Sequence, residues 1–237
     1  METNIIYNID CLTGGIDSLP DKSIDYAFTS PPYNRKRNDK YSKYDDTLED
    51  YYGFLLKVTE KLRRVVKHHI FLNVQTNYYN KADVYRFIGT YADYIQNIII
   101  WEKSNPMPAN GLNVTNAFEY FIVIGDKPIK ANHTYTKNHV TTAVNGRTSK
   151  EHKAIMNYDV ADWFFKSFIP QGSLVIDPFM GLGTTAIACL NNGCKYIGYE
   201  IVPEYKQEAE KRIASCLDKQ SNIWYNIGRR VTYGLYL

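Results

Sequence analysis

Ser30-Pro31-Pro32-Tyr33 places a hydroxyl, two rigid prolines and a flat aromatic ring within one short stretch. Each proline holds φ near about −65° and donates no N–H, so the backbone is stiff and its carbonyls remain free to accept hydrogen bonds. Such a set suits a planar group with an amino substituent, such as a nucleobase. Ser30 Oγ and the Pro31 carbonyl would accept its two N–H bonds while Tyr33 stacks on the ring. A Pro-Pro pair alone marks an ordinary turn. Here all four positions fit one chemistry, and they follow the apolar run Ile24-Asp25-Tyr26-Ala27-Phe28, where a buried strand meets a loop.

A second group lies in the C-terminal half. Leu174-Val175-Ile176-Asp177 reads as a strand, Pro178-Phe179-Met180-Gly181-Leu182-Gly183-Thr184-Thr185 as a glycine-bearing turn, and Ala186 to Asn192 as a helix. Strand, glycine turn and helix make a nucleotide-type site, because glycine lets ligand and backbone approach closely. The turn is neither GxGxxG nor GxxxxGK[ST], so the phosphate-binding residues of a dinucleotide or nucleoside triphosphate site are missing. The next strand, Tyr196 to Tyr199, delivers Glu200 at its end, where an acid either accepts both hydroxyls of a ribose or caps the following turn.

Between the two groups, residues 34–46 carry Arg35, Lys36, Arg37, Lys40 and Lys43, interleaved with Tyr41 and Tyr44 and without apolar periodicity. This basic aromatic loop is either a solvated face or, beside a base-binding motif, a contact for phosphates.

The elements that must position these groups alternate in type. Asn4 to Ile9 reads as a short strand and Leu12 to Leu19 as a brief helical stretch. Thr47 to Val66 and Lys81 to Tyr91 have the three- and four-residue apolar spacing of helices. His69 to Val74, Ile98 to Trp101 and Tyr120 to Ile124 are near-continuous apolar runs, as in strands covered on both faces. Pro203 opens a helix to Cys216. The pattern predicts an α/β fold with a mainly parallel sheet. Trp101 to Gly111 reads as a loop shaped by its prolines, and the stretch from Asp126 to about Lys150 is polar and unpatterned.

At 237 residues the chain suits one domain, and 44% hydrophobic with 22% charged residues is ordinary for a globular protein. A net charge of +3 gives no global electrostatic signal for nucleic acid, whereas 21 tyrosines are unusual and suit wet, half-apolar surfaces. No apolar run approaches the ~20 residues of a membrane helix, and no signal peptide is evident at Met1 to Asp10, so a cytoplasmic location is expected. Cys11, Cys189, Cys194 and Cys216 have no metal-site spacing, and His133, His139 and His152 have no partner at ligand spacing, so no metal is expected.

Ser-Pro-Pro-Tyr after a strand resembles motif IV of the DNA methyltransferases that modify exocyclic amino groups. Asp-Pro-Phe-Met-Gly-x-Gly-Thr-Thr resembles their motif I, which binds S-adenosylmethionine; Glu200 matches the acid of motif II and Asp10 that of motif III. Trp101 to Pro108 and Glu119 resemble the family's later motifs. The catalytic motif precedes the cofactor motif, with a recognition segment between them, which is the circularly permuted order of the β class. The resemblance runs from about Asp10 to Ile213. Leu182 stands where the family often has Ser, Asn157 and Tyr158 replace a Pro-containing helix start, and the recognition segment is short.

The resemblance implies a Rossmann-like methyltransferase fold with a seven-stranded sheet, in a single domain over residues 1–237, with a target-recognition segment at about 126–155. It implies Ser30, Pro31, Pro32 and Tyr33 as catalytic residues. Asp10, Asp177, Phe179, Gly181, Gly183, Thr184, Thr185 and Glu200 would bind S-adenosylmethionine, and Arg35, Lys36, Arg37, Lys40 and Lys43 would bind double-stranded DNA. An aspartate at Gly183 is expected to meet the methionine end of the cofactor. Serine at the head of the motif favours N4 of cytosine over the alternative, N6 of adenine. A cognate restriction endonuclease and a homodimer also fit the family. Protein glutamine methylation uses Asn in place of Ser30 and the other motif order, and an inactive nucleic-acid-binding subunit need not keep the cofactor residues. The absence of a Pro-Cys dipeptide excludes the covalent chemistry at cytosine C5, and the absence of HxE with PCxxC excludes a zinc deaminase.

Replacing Arg35, Lys36 and Arg37 together by alanine is expected to weaken binding to all DNA sequences alike and to flatten its salt dependence, measured by fluorescence anisotropy across a salt series. Loss on one sequence only would mean that the loop reads bases.

Overall fold

Side chains alternating along the central strands divide the interior into two layers, one on each face of a sheet. Phe28, Phe71, Phe121, Val123, Val175 and Tyr196 point to one face, and Ala27, Ile70, Leu72, Ile122, Ile124, Ile176 and Ile197 to the other. A computed structural model describes residues 1–35, 45–109, 111, 113–144 and 155–233, with side chains of the last helix as far as 218. Its strands are β1 (Ile5–Tyr7), β2 (Tyr26–Thr29), β3 (His69–Val74), β4 (Ile95–Lys103), β5 (Phe118–Gly125), β6 (His139–Thr142), β7 (Leu174–Asp177) and β8 (Lys195–Tyr199). They form an 8-stranded sheet in the order β1-β8-β7-β2-β3-β5-β4-β6. β5 runs antiparallel to β3 and β4, and the remaining pairs are parallel.

The seven-stranded expectation is one strand short. The additional strand is β6, whose His-Val-Thr-Thr is half exposed and, among the described residues, pairs only with β4, so it carries no buried apolar run to announce it. It falls inside the stretch read as unpatterned.

Helices α1 (Tyr51–Val65) and α2 (Lys81–Thr90) cover one face; α3 (Tyr158–Phe168), α4 (Thr184–Asn191) and the start of α5 (Pro203–Tyr233) cover the other. α1 begins four residues later than its apolar spacing suggests, because the Asp50 side chain accepts the Gly53 N–H at 2.7 Å and caps it there. The resemblance places a helix start at Asn157 and Tyr158, and α3 begins there: Asn157 caps it by accepting the Asp159 N–H, and Val160, Ala161, Phe164, Phe165 and Phe168 share one face. The helical stretch expected from Leu12 to Leu19 is broken into two irregular turns at Gly14, where φ is +138°.

The crossover from β2 through α1 leaves on one face and that from β7 through α4 on the other, although β2 and β7 are neighbours. Such a reversal opens a crevice at the C-terminal ends of the strands. Ser30, Pro178 and Glu200 each follow the end of a strand there.

Phe164 is fully buried, with ring centroids 5.4 Å from Phe28, 5.5 Å from Phe71 and 4.2 Å from Phe121. Phe164→Ala is expected to cost about 3–5 kcal/mol in urea unfolding, whereas Tyr135→Ala, at a residue that is 99% exposed, should stay within about 0.5 kcal/mol of the parent.

Candidate active site

At the reversal between β2 and β7 lies the buried carboxylate of Asp177. Its Oδ1 accepts the Thr29 hydroxyl at 2.7 Å and the Phe179 N–H at 3.0 Å, and its Oδ2 accepts the Thr185 hydroxyl at 2.5 Å. One side chain thus joins the end of β2, the turn after β7 and the first turn of α4. Burial pushes its carboxyl above the ordinary range against the pull of those three hydrogen bonds.

Beyond Thr29, the Ser30 hydroxyl lies 2.8 Å from Tyr33 Oη and 3.0 Å from Asn73 Oδ1. Tyr33 Oη is also 2.6 Å from Asn73 Oδ1 and 3.0 Å from Glu119 Oε2. Asn73 Nδ2 donates to the Tyr120 carbonyl, which turns Oδ1 toward the two hydroxyls. Burial and then the Glu119 charge raise the Tyr33 phenol well above its ordinary value, so it stays protonated and donates. Glu119 is itself paired with Lys103 at 2.5 Å. Ser30 can therefore hand its proton inward to Asn73 or Tyr33 and keep its lone pairs for a ligand.

The segment is also held from outside. Asn77 Nδ2 and Asn80 Nδ2 donate to the Tyr33 carbonyl at 2.8 and 2.7 Å. Asn34, buried with φ +50°, pairs through its side chain with both backbone groups of Leu48, while Asp46 accepts the N–H of Asn34 and of Arg35. Asparagine tolerates this left-handed conformation better than most residues.

A cavity of about 430 Å³ opens between the two groups, within the ~300–1,000 Å³ range of small-molecule sites. Asp10, Ser30, Pro31, Pro32, Tyr33, Arg35, Phe179, Gly181 and Glu200 all border it. Glu200 Oε2 accepts the Gly181 N–H and Oε1 the Val202 N–H, both at 2.8 Å, so the acid is fixed while each oxygen retains a lone pair. Leu12, Pro178 and Ile201 add apolar wall beside it. A carboxylate with free lone pairs beside an apolar slot fits a nucleoside.

Several expected residues stand elsewhere. Asp177, Gly183, Thr184 and Thr185 do not border the cavity. The Asp177 and Thr185 side chains bond to each other, and a Cβ on Gly183, where φ is +80°, would lie 3.1 Å from Ala209 Cβ. An aspartate at 183 would therefore strain the α4–α5 packing rather than meet a ligand. Arg35 turns inward, its Nη2 2.5 Å from Gln75 Oε1 and its guanidinium 5.4 Å from the Tyr33 ring centroid. Lys36, Arg37, Lys40 and Lys43 lie outside the described residues. Asn73 and the pair Asn77 and Asn80 were not singled out from sequence; an asparagine inside the apolar run His69 to Val74 was the available signal.

The profile of a family described as DNA methylase matches residues 24–211. The type II methyltransferase M.MwoI of Methanothermobacter wolfeii is 29% identical over 78% of this chain, which spans 29% of that protein's length. M.HinfI of Haemophilus influenzae is 26% identical over 89% of this chain and 68% of its own. Among solved structures, the PvuII DNA methyltransferase (cytosine-N4-specific) superposes with a TM-score of 0.73 at 18% identity, covering 92% of this chain and 93% of that one. The M1.HpyAVI complex with SAM gives 0.63 at 21% identity, covering 88% and 98%.

Burial raises the Glu200 carboxyl above its ordinary value of 4.5. Affinity for S-adenosylmethionine, measured by calorimetry, is expected to fall as pH drops through a window lying above that value, because only the ionised form offers all its lone pairs to hydroxyls. Glu200→Gln should weaken binding about tenfold or more and flatten the pH dependence; an unchanged profile would remove Glu200 from the ligand site.

Proposed function

The chain belongs to the N6/N4 DNA methylase family, and from that premise we propose that it transfers a methyl group from S-adenosylmethionine, its cofactor, to the exocyclic amino group of a base flipped out of double-stranded DNA. N4 of cytosine is the favoured target and N6 of adenine the alternative. The observation that carries this reading is the single cavity bordered by both Ser30 and Glu200.

Glu200 and Asp10 would hold the ribose and adenine end of the cofactor, with Leu12, Pro178, Phe179 and Ile201 as apolar walls and Gly181 keeping the turn close. When bound, S-adenosylmethionine supplies an electrophilic methyl group on a sulfonium. The amino nitrogen of a base is a weak nucleophile because its lone pair is delocalised into the ring. Ser30 Oγ and the Pro31 carbonyl, by accepting both N–H bonds, draw the nitrogen toward a tetrahedral shape and localise that pair. The proton that must leave passes to Ser30 Oγ, the serine's own proton to Tyr33 Oη 2.8 Å away, and the tyrosine's to Glu119 Oε2 at 3.0 Å. Both hydroxyls are restored and the carboxylate gains the proton. No covalent enzyme intermediate is needed.

The base pocket lies against the Tyr33 ring, so Arg35, which covers that ring here, swings outward on base entry and joins Lys36, Arg37, Lys40 and Lys43 in holding phosphates. Residues 1–237 act as one methyltransferase domain, with residues of about 126–155 as the target-recognition segment, β6 among them. A cognate restriction endonuclease and a homodimeric assembly belong to the same reading. Among the described residues no helix is long and apolar enough to cross a membrane, and a cytoplasmic site of action follows from a DNA substrate.

Sequencing genomic DNA from cells with and without the protein identifies the methylated site, and nuclease digestion with mass spectrometry identifies the base. N4-methylcytosine is expected. Ser30→Ala should lower kcat about 100-fold or more with cofactor affinity unchanged. A product of N6-methyladenine alone would overturn the choice of base, and undiminished turnover in Ser30→Ala would remove the mechanism for either.

A further inference from the structure

The loop after β3 carries a tyrosine that the fold displays rather than buries. Tyr78 is 82% exposed, although the turn beneath it is held by side-chain hydrogen bonds. Asn80, fully buried, accepts the Asn77 N–H through Oδ1 at 2.7 Å, and Asn77 Oδ1 accepts the N–H groups of Tyr79 and Asn80 at 2.8 and 3.2 Å. These same two asparagines hold the Tyr33 carbonyl. The display of Tyr78 is therefore coupled by direct hydrogen bonds to the segment that would grip a base.

The ring is also oriented. It stands edge-to-face with Tyr79, centroids 5.3 Å apart at 88°, and the Lys81 ammonium sits 5.7 Å from its centroid. Tyrosine joins a flat apolar face to a polar edge, and here that face is offered to solvent with a cation beside it. Stacked bases flanked by phosphates complement that chemistry.

We propose that Tyr78 is a positioning residue that stacks into the gap left in duplex DNA when the target base is extruded, with Lys81 facing the adjacent phosphate; this rests on the reading of the cavity as a base pocket. A tyrosine loses few rotamers on insertion, and a filled gap keeps the neighbouring base pairs from closing on the extruded nucleotide. The role also accounts for one of the tyrosines whose number stands out in the composition.

The test is anisotropy binding, with S-adenosylmethionine present, to a 5′-fluorescein 25-base-pair duplex and to the same duplex with one central abasic site, where the gap already exists and unstacking is not required. The wild-type protein is expected to prefer the abasic duplex by about tenfold; Tyr78→Phe and Tyr78→Trp should keep that preference and Tyr78→Ala should lose it. Absence of the preference in the wild-type protein, its persistence in Tyr78→Ala, or its loss in Tyr78→Phe would each overturn the proposal. Methyl transfer is read separately on genomic DNA. Its absence with the abasic preference intact would sink the transferase reading and leave the role of Tyr78 standing.

Discussion

The site depends on one buried carboxylate. Asp177 joins Thr29, the turn at Phe179 and Thr185, and so sets the catalytic strand against the cofactor turn at the point where the crossovers part. Each hydrogen bond to a charged group contributes about 1.5–3 kcal/mol, set against the desolvation that raises the carboxyl's pKa. The arrangement works because all donors are present. A single missing hydroxyl would leave part of a buried charge unpartnered, and the two halves of the cavity would lose their common reference.

Polar groups behind Ser30 act on the same principle at smaller scale. Two hydroxyl protons are shared among Asn73, Glu119 and each other over contacts of 2.6 to 3.0 Å. There are fewer protons than short contacts, so a donor that takes one partner leaves another oxygen as an acceptor. Of the four residues in this network, Ser30 and Tyr33 border the cavity, and Asn73 and Glu119 stand behind them. The ion pair of Glu119 with Lys103 keeps a charge in place beneath the network without asking the hydroxyls to neutralise it.

The two halves of the sheet divide these tasks. Parallel strands β1, β8, β7 and β2 end together and deliver Asp10, Glu200, Pro178 and Ser30 to one rim. β3 carries Asn73 beside them, and antiparallel β5 brings Glu119 back toward the same rim from its opposite end. An antiparallel neighbour is needed for that: the start of β5 lies where the ends of β2 and β3 lie.

Sequence alone determined the fold class, both motifs and nine of the nineteen residues that border the cavity, because these depend on local chemistry. Proline stiffness, a glycine turn between strand and helix, and near-continuous apolar runs are each legible within a few positions. Ser30, Tyr33, Gly181, Phe179 and Glu200 were all reachable in that way. The tertiary structure decided which of the named residues face the cavity and which hold the frame. Asp177 and Thr185 are consumed by one another, Gly183 serves the packing of α4 on α5, and Arg35 folds onto Tyr33 and Gln75. β6 escaped notice because a half-exposed edge strand of four residues carries no buried pattern. Asn73, 43 residues from Ser30, and Glu119, 86 from Tyr33, meet the motif only because strand pairing brings them there. Long-range contact of this kind leaves no periodic trace in a single chain, so only the folded sheet could reveal it.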